Sequence, residues 1–352
     1  MEAYICVEIE NTAEENFEIL NYLGSGSYGT VVLAFDRKMG RHVAMKIMEK
    51  ERLDQDAFLH ELTLSVYLTG HEGVISTYSS FVDTVDYFAF SQELAPAGTL
   101  HSLIQAEVRI PEVLVKRCAV QISQALGYMH SKGLVHRDLK PDNILLMDKE
   151  CKSVKLSDFG LTQFMGTDVS AMFPIIPYMS PELCQLKPKE TILVHPGVDI
   201  WALGVLLFVA LKGYVPWGKA LLEDPHFHNF VYWQNEFDHV APPRGWENLS
   251  RSAQEMFRIL FSQDPSSRSQ VIQNYLNFQW TSEDATERVD FVERGDMELV
   301  GMTESEVIFI DEEEFIVDGT SEGTSNAINT AGIYLSGNSC LPIGAEVEIA
   351  QD

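Results

Sequence analysis

The chain is short of cysteine, of basic residues and of long apolar runs, and each shortage closes off a class of protein. Five cysteines (Cys6, Cys118, Cys151, Cys184 and Cys340) are scattered over 352 residues without a CxxC pair, so neither a zinc site nor a disulfide framework is indicated. A reducing, cytoplasmic setting is the simple expectation. Lysine and arginine number 25 against 52 acidic residues, a formal charge of −27. A surface of that sign repels nucleic-acid backbone and anionic lipid and attracts basic partners, so neither nucleic acid nor membrane is expected to bind. The best candidate for a membrane span, residues 200–211, has only 12 residues, which suits a buried helix and is too short for a bilayer. The opening MEAYICVEIE has no basic stretch before an apolar core and no glycine at position 2. Neither a secretory signal nor a myristoylation pattern is therefore expected.

What is present is a hydrophobic fraction of 45%, ample for a core, and an uneven charge. Residues 281–352 hold 18 acids and two arginines, a net of −16, which leaves −11 for the first 280. This tail is rich in Gly, Ser and Thr in its later half and lacks helical periodicity, so it reads as disordered. Residues 1–16 are acidic and weakly patterned and read as a lead-in.

Between these ends lie several groups of residues that phosphate chemistry needs. The loop HRDLKPDN at 136–143 places an acid, a lysine and an amide within six residues. Phosphoryl transfer requires such a set: a carboxylate to take the hydroxyl proton (Asp138), a cation near the moving phosphate (Lys140) and an oxygen ligand for magnesium (Asn143). Three common residues recur in any surface loop, so the other parts must stand at workable distances. Upstream, Leu23 is followed by Gly24, Ser25, Gly26, Ser27, Tyr28 and Gly29, then by Val31. Three glycines let a hairpin lie close over phosphates. The same GxGxxG spacing marks dinucleotide folds, but there it opens into a helix, whereas residues 30–35 are β-branched and apolar and read as a strand.

In VAMKIM, apolar residues alternate around Lys46 on the next strand, two residues after Ala44. Lys46 would reach the α- and β-phosphates of ATP and needs a carboxylate to hold it. Glu61, on a helix with Phe58, Leu62 and Val66 along one face, is the natural partner, with Glu49 and Glu51 as alternatives. Residues 87–100 read as a strand ending in a Pro/Gly turn, the form of a hinge between lobes. By the resemblance to protein kinases that the HRD loop and glycine hairpin carry, Gln92 would border the adenine pocket there, and the Glu93 carbonyl and Ala95 backbone would meet the base, with Val31, Ala44 and Leu145 around it. A helix over 111–131, with Leu114, Cys118, Ile122, Leu126 and Met129 facing inward, leads into the HRD loop. Twenty residues after HRD comes Asp158-Phe159-Gly160, whose carboxylate is a suitable hard ligand for magnesium.

Taken together, HRDLKPDN, DFG, the VAMK strand and the glycine hairpin resemble the eukaryotic protein kinases over residues 17–280. Met179-Ser180-Pro181-Glu182 stands where that family closes its activation segment, Asp199 where it braces the catalytic loop, and Arg268 where an arginine pairs with the closing glutamate, here Glu182. The phrases QELAPAGTL, VKRCAVQISQAL, KGLVHRDLKPDN, KLSDFGLTQ, IPYMSPELC and DIWALGVLL are similar to those of the SH3-domain-binding serine/threonine kinases. The resemblance implies an α+β, bilobal fold with a β-rich N-lobe (17–94), a mostly helical C-lobe (95–280) and the acidic tail (281–352). It implies an ATP- and Mg2+-dependent serine/threonine protein kinase acting on protein substrates, basic ones by charge. A kinase-fold scaffold acting through its lobes and tail is the alternative, and intact Lys46, Asp138, Asn143 and Asp158 argue against it.

Three features depart from the family pattern or extend it. Ile175 replaces the threonine usual three residues before Tyr178, and Pro174 stands where glycine is common; Thr167 and Ser170 are the nearest phosphate acceptors for Arg137. SH3 domains dock PxxP segments, yet the tail has the single Pro342 and the only PxxP is Pro174 to Pro177. SH3 partners are thus implied by the resemblance but not by the residues. In the tail, Val307, Ile308, Phe309 and Ile310 followed by four acids resemble a SUMO-interacting motif, which adds a strand to a partner's sheet.

Overall fold

The computed structural model describes residues 3–10, 16–26, 29–104, 109–172, 174, 176–282 and 339–343. Alternating apolar positions build the first half. Strands β1 (Ala3–Glu10), β2 (Phe17–Gly26), β3 (Gly29–Asp36), β4 (Arg41–Glu49), β5 (Thr77–Asp83) and β6 (Tyr87–Gln92) share one sheet with β13 (Ser339–Ile343), in the order β13-β1-β5-β6-β4-β3-β2. β3 buries Val32 and Ala34, and β4 buries Val43, Met45 and Met48, while the residues between them are only partly covered. β1 runs parallel to β5 and antiparallel to β13. The sequence reading did not foresee either flanking strand; both are short alternating or apolar runs without a turn signature. The segment Val307, Ile308, Phe309 and Ile310 lies outside the described residues.

Helix α1 (Gln55–Leu68) starts at Asp54, whose carboxylate accepts the Ala57 N–H at 2.8 Å. It lays Phe58 and Leu62 onto the sheet, with the Phe58 ring stacked on Phe88 at 4.6 Å. Glu61, on the same helix, is buried as a result.

The second half is mainly helical. After α2 (Leu100–Leu103), α3 (Glu112–Ser131) delivers the chain to β7 (Leu134–Val135) and then to the hairpin of β8 (Ile144–Leu146) and β9 (Val154–Leu156). Within α3, Val115 takes the buried place expected of Leu114, which is only half-buried. The strands β10 (Gln163–Phe164) and β11 (Asp168–Ser170), the short helix α4 (Pro181–Cys184) and β12 (Thr191–Leu193) follow. Helix α5 (Gly197–Lys212) is buried along its whole length, as an apolar run of residues 200–211 requires. After it come α6 (Pro225–Asn235), α7 (Arg251–Leu260) and α8 (Ile272–Tyr275), and Phe230 of α6 meets Trp217, Trp246 and Phe261 of the connecting segments in an aromatic core. Gly204 lets this core close on α5: a Cβ there would stand 2.8 Å from the Phe261 ring.

The last described residues of this half are held by Glu112 at the start of α3. Its two oxygens accept the Trp280 N–H, the Thr281 N–H and the Thr281 hydroxyl at 2.8–2.9 Å. Replacing Glu112 by alanine strands these donors and should cost about 1–3 kcal/mol. A urea titration should show a lower midpoint with unchanged slope.

Candidate active site

Three elements meet around Lys46. It lies mid-strand in β4, opposite Val31 on one side and Phe90 on the other. Its Nζ donates to Glu61 Oε1 at 2.5 Å and to Asp158 Oδ1 at 3.2 Å. Burial alone would lower the Lys46 ammonium, but the two carboxylates outweigh it and hold the group charged well above the ordinary lysine range. Burial works against the Asp158 carboxylate too, and Lys46 again wins, so its pKa is below the usual value. Asp158 sits at φ +65°. Gly160 leaves room for Glu61, whose Oε2 would be 3.2 Å from a Cβ there. Glu49 instead pairs with Arg52.

The 136–143 loop is shaped by a buried carboxylate. Asp199, fully buried at the start of α5, accepts the His136 N–H and the Arg137 N–H at 2.8 Å each, and His130 Nε2 at 2.8 Å. These bonds hold Arg137 at φ +70°, a left-handed conformation that costs a non-glycine residue on the order of 1 kcal/mol. His136 Nε2 donates to the Ser157 carbonyl at 3.0 Å, and its Nδ1 then accepts the Asp138 N–H at 3.2 Å. Asp138 is oriented further by Asn143, whose Nδ2 donates to the Asp138 carbonyl at 2.7 Å and to Oδ2 at 2.9 Å. Lys140 Nζ lies 3.0 Å from Asp138 Oδ2. Burial would lower the Lys140 ammonium, but Asp138 raises it above its ordinary value.

The glycine hairpin spans the β2–β3 turn. Leu23, Ser25 and Gly26 are exposed and Gly24 partly so, whereas Ser27 and Tyr28 lie outside the described residues. Gly29 cannot be replaced without moving backbone, since a Cβ would come within 1.9 Å of the Ile47 carbonyl oxygen. Ala44 is opposite both Leu33 and Gln92. Gln92 is turned aside by a bond from its Nε2 to Thr77 Oγ1 at 2.8 Å. The Glu93 side chain accepts from Lys155 at 2.5 Å and from the Ser76 N–H at 2.7 Å. Its carbonyl and the Ala95 N–H have no intrachain partner among the described residues. Leu145, half-buried on β8, pairs with Lys155 across the hairpin and bridges to Thr99.

An ATP-shaped ligand fits this donor set, with two free backbone groups for the base and a glycine turn and Lys46 for phosphates. Asn143 spends its amide nitrogen on Asp138 and keeps its oxygen, and Asp158 Oδ2 has no hydrogen bond among the described residues, so both leave a hard oxygen of the kind a cation takes. Among the described residues no group of three or more His, Cys, Asp or Glu could cage a metal alone.

Sequence reasoning missed three residues that set this geometry. His60 Nε2 binds the Thr162 carbonyl at 2.8 Å, tying α1 to the segment after DFG. His130 braces Asp199, and Lys155 fixes Glu93. The only signal was histidine at 60, beside Glu61, and at 130, in the last turn of α3. Arg268, by contrast, makes the foreseen bidentate pair with Glu182 at 2.7 and 2.8 Å, and its guanidinium also donates to the Gly197 and Ser262 carbonyls. Arg137 donates to the Leu161 carbonyl, and Ile175 lies outside the described residues.

The Asp199 carboxylate carries a pH signature. Burial would raise its pKa, but His130, His136 and the two N–H donors hold it below the ordinary value. An acid depressed in the folded state stabilises the fold above its unfolded pKa, and that contribution is lost as pH falls through the depressed value. Stability should therefore drop below pH about 3.9, the ordinary aspartate value. Asp199→Asn should be less stable at pH 7 and show a flatter acid limb in thermal melts.

Residues 17–281 match the family described as protein kinase domain. Over 266 residues the chain is 39% identical to Serine/threonine-protein kinase SBK1 of Danio rerio, covering 75% of this chain and 69% of that one. It is 37% identical over 297 residues to Serine/threonine-protein kinase SBK2 of Homo sapiens, covering 83% and 82%. Serine/threonine-protein kinase meng-po of Drosophila melanogaster is 32% identical over 274 residues, 76% of this chain and 59% of that one. With this match over most of its length, and with the fold and the Lys46, Asp138, Asn143 and Asp158 cluster already in view, the chain belongs to the protein kinase family, among its SH3-binding serine/threonine members.

Proposed function

We propose that the protein transfers the γ-phosphoryl group of ATP to serine or threonine hydroxyls of protein substrates, with N-lobe 17–94 and C-lobe 95–280 closing on the nucleotide. The observation that carries this reading is the Lys46–Glu61–Asp158 arrangement beside Asp138, since each part alone has another use. Lys46 holds the α- and β-phosphates and is itself fixed by Glu61. Residues 23–29, Val31, Ala44 and Leu145 enclose the nucleotide, and the Glu93 carbonyl and Ala95 N–H meet the adenine. Asp138 accepts the proton of the substrate hydroxyl as the bond to phosphorus forms, and Lys140 balances negative charge on the moving group. Asn143 and Asp158 would hold Mg2+, which supplies neutralisation of phosphate charge. The chemistry is otherwise positioning.

The exposed Asp142, 3.7 Å from His101, lies close enough to Tyr178 to add to the raised pKa that burial gives that phenol. Its exposed carboxylate and the acidic surface favour basic substrates. No helix among the described residues is long and apolar enough to cross a membrane, and we place the protein in the cytoplasm on its charge and cysteine usage. Thr167, half-buried, and Ser170, exposed on β11, are candidate phosphate acceptors beside Arg137. Val307, Ile308, Phe309 and Ile310 are a candidate SUMO-type docking strand, and the residues offer no SH3 ligand outside Pro174 to Pro177.

Asp138→Asn should lower Mg2+-dependent phosphate transfer to a basic peptide by about 10²–10⁴-fold while leaving ATP binding intact. Equal turnover in the two proteins would rule out Asp138 as the base. Asp142→Lys should raise KM for a basic peptide and lower it for an acidic one, with little change in autophosphorylation of the chain.

A further inference from the structure

In a chain with 25 cations against 52 acids, three cations stand together without an ion-pair partner: Arg109, Lys212 and Arg244. Lys212 is the last residue of α5 and is only 6% exposed, yet it makes no hydrogen bond or salt bridge among the described residues. Burial and the nearby Arg109 push its ammonium down to about 8, and Glu247 opposes them weakly. The Ile110 N–H donates to the Ala210 carbonyl at 3.3 Å, which sets Arg109 beside the end of α5. From the other side the 243–249 loop closes in: Trp246 packs on Phe208 at 4.6 Å, and the Tyr214 hydroxyl touches the α-carbon face of Gly245, next to Arg244. Arg109 and Arg244 are both exposed. Arg109 and Glu247 act on Lys212, and Arg109, Arg244 and Glu247 all act on the neighbouring Tyr214, so the three cations gather around this one carboxylate on a strongly negative molecule.

The same two flanks grip the chain where it leaves the domain. Glu112, three residues after Arg109, accepts from Trp280 and Thr281. The Asn248 carbonyl, four residues after Arg244, accepts the Ser282 N–H at 3.0 Å and its hydroxyl at 3.2 Å. The last described residues of the domain are therefore held by the same two segments that carry Arg109 and Arg244, and the next residues in sequence are Glu283, Asp284 and, three further, Glu287. At no more than about 3.6 Å per residue, the chain limits how far from Ser282 these carboxylates can reach.

We propose that Arg109, Lys212 and Arg244 form an anion site whose occupant is the start of this chain's own acidic tail, Glu283, Asp284 and Glu287. The occupant supplies the charge that the buried Lys212 lacks, and it fixes the direction in which the tail leaves the domain. A phosphorylated or acidic partner would suit the same cations, but the exit geometry gives the tail a local concentration no free partner matches.

Carboxyl footprinting by carbodiimide and an amine, read by mass spectrometry on the full chain, tests this. Glu283, Asp284 and Glu287 should react about threefold more slowly than the tail residues Glu304 and Glu306, the protection a few exposed ion pairs give. Arg109→Gln/Arg244→Gln, at exposed positions that leave the core untouched, should equalise the rates, as should 1 M salt. A melting curve unchanged from the parent checks that the variant is folded, and Lys212→Gln serves as the independent second variant. Equal rates in the parent chain would overturn the proposal. So would protection that persists in both variants, because the tail would then be held elsewhere.

Discussion

The buried carboxylate of Asp199 is the constraint on which the rest of the site depends. A charge in an apolar helix is costly unless every lone pair is used, and here the partners come from His130 and from the backbone of His136 and Arg137. Because the acceptor is fixed at the start of a helix buried on all sides, the loop that satisfies it is fixed too. Asp138 and Asn143 follow from that, since His136 and the amide of Asn143 hand the orientation on, one hydrogen bond at a time. The site is rigid where it meets the helical half and depends on a buried ion pair where it meets the sheet. Lys46, Glu61 and Asp158 join three separate elements through charged hydrogen bonds.

That division explains which features could be read from the chain. Short motifs whose parts are close in sequence, such as HRDLKPDN and DFG, carry their geometry with them. Lys46 and Glu61, 15 residues apart, could still be matched because strand alternation and the apolar face of α1 leave few places for each. Arg268 and Glu182 are 86 residues apart and were matched only through family resemblance. His60 was passed over because a histidine beside a glutamate on a helix has many bland uses; only the folded chain shows it reaching 102 residues ahead to Thr162. The flanking strands β1 and β13 were missed for a different reason. Each is too ordinary in composition to announce a strand, and their pairing joins residues 332 to 340 positions apart. No local pattern carries such information.

Electrostatics run through the molecule at two scales. Locally, the cations around the site are matched one by one, unlike Lys212: Lys46 by two carboxylates, Arg268 by Glu182, Lys155 by Glu93. Globally the surplus is negative, and most of it is on the tail. A chain with this balance attracts cations, and most of the charge that attracts them lies on the tail rather than on the domain.

The grip of Glu112 on Trp280 and Thr281 also bears on how the chain acquires its structure. It joins residues 168 and 169 positions apart, so it closes only after the whole helical half has been made. Contacts of such separation form late, because the chain between them must be ordered before they add any stability. During synthesis, at roughly 5–20 residues per second, the domain waits for its last turn and then closes while the acidic tail is still being added. The tail thus follows the domain in time as well as in sequence, and it reaches a surface that is already built.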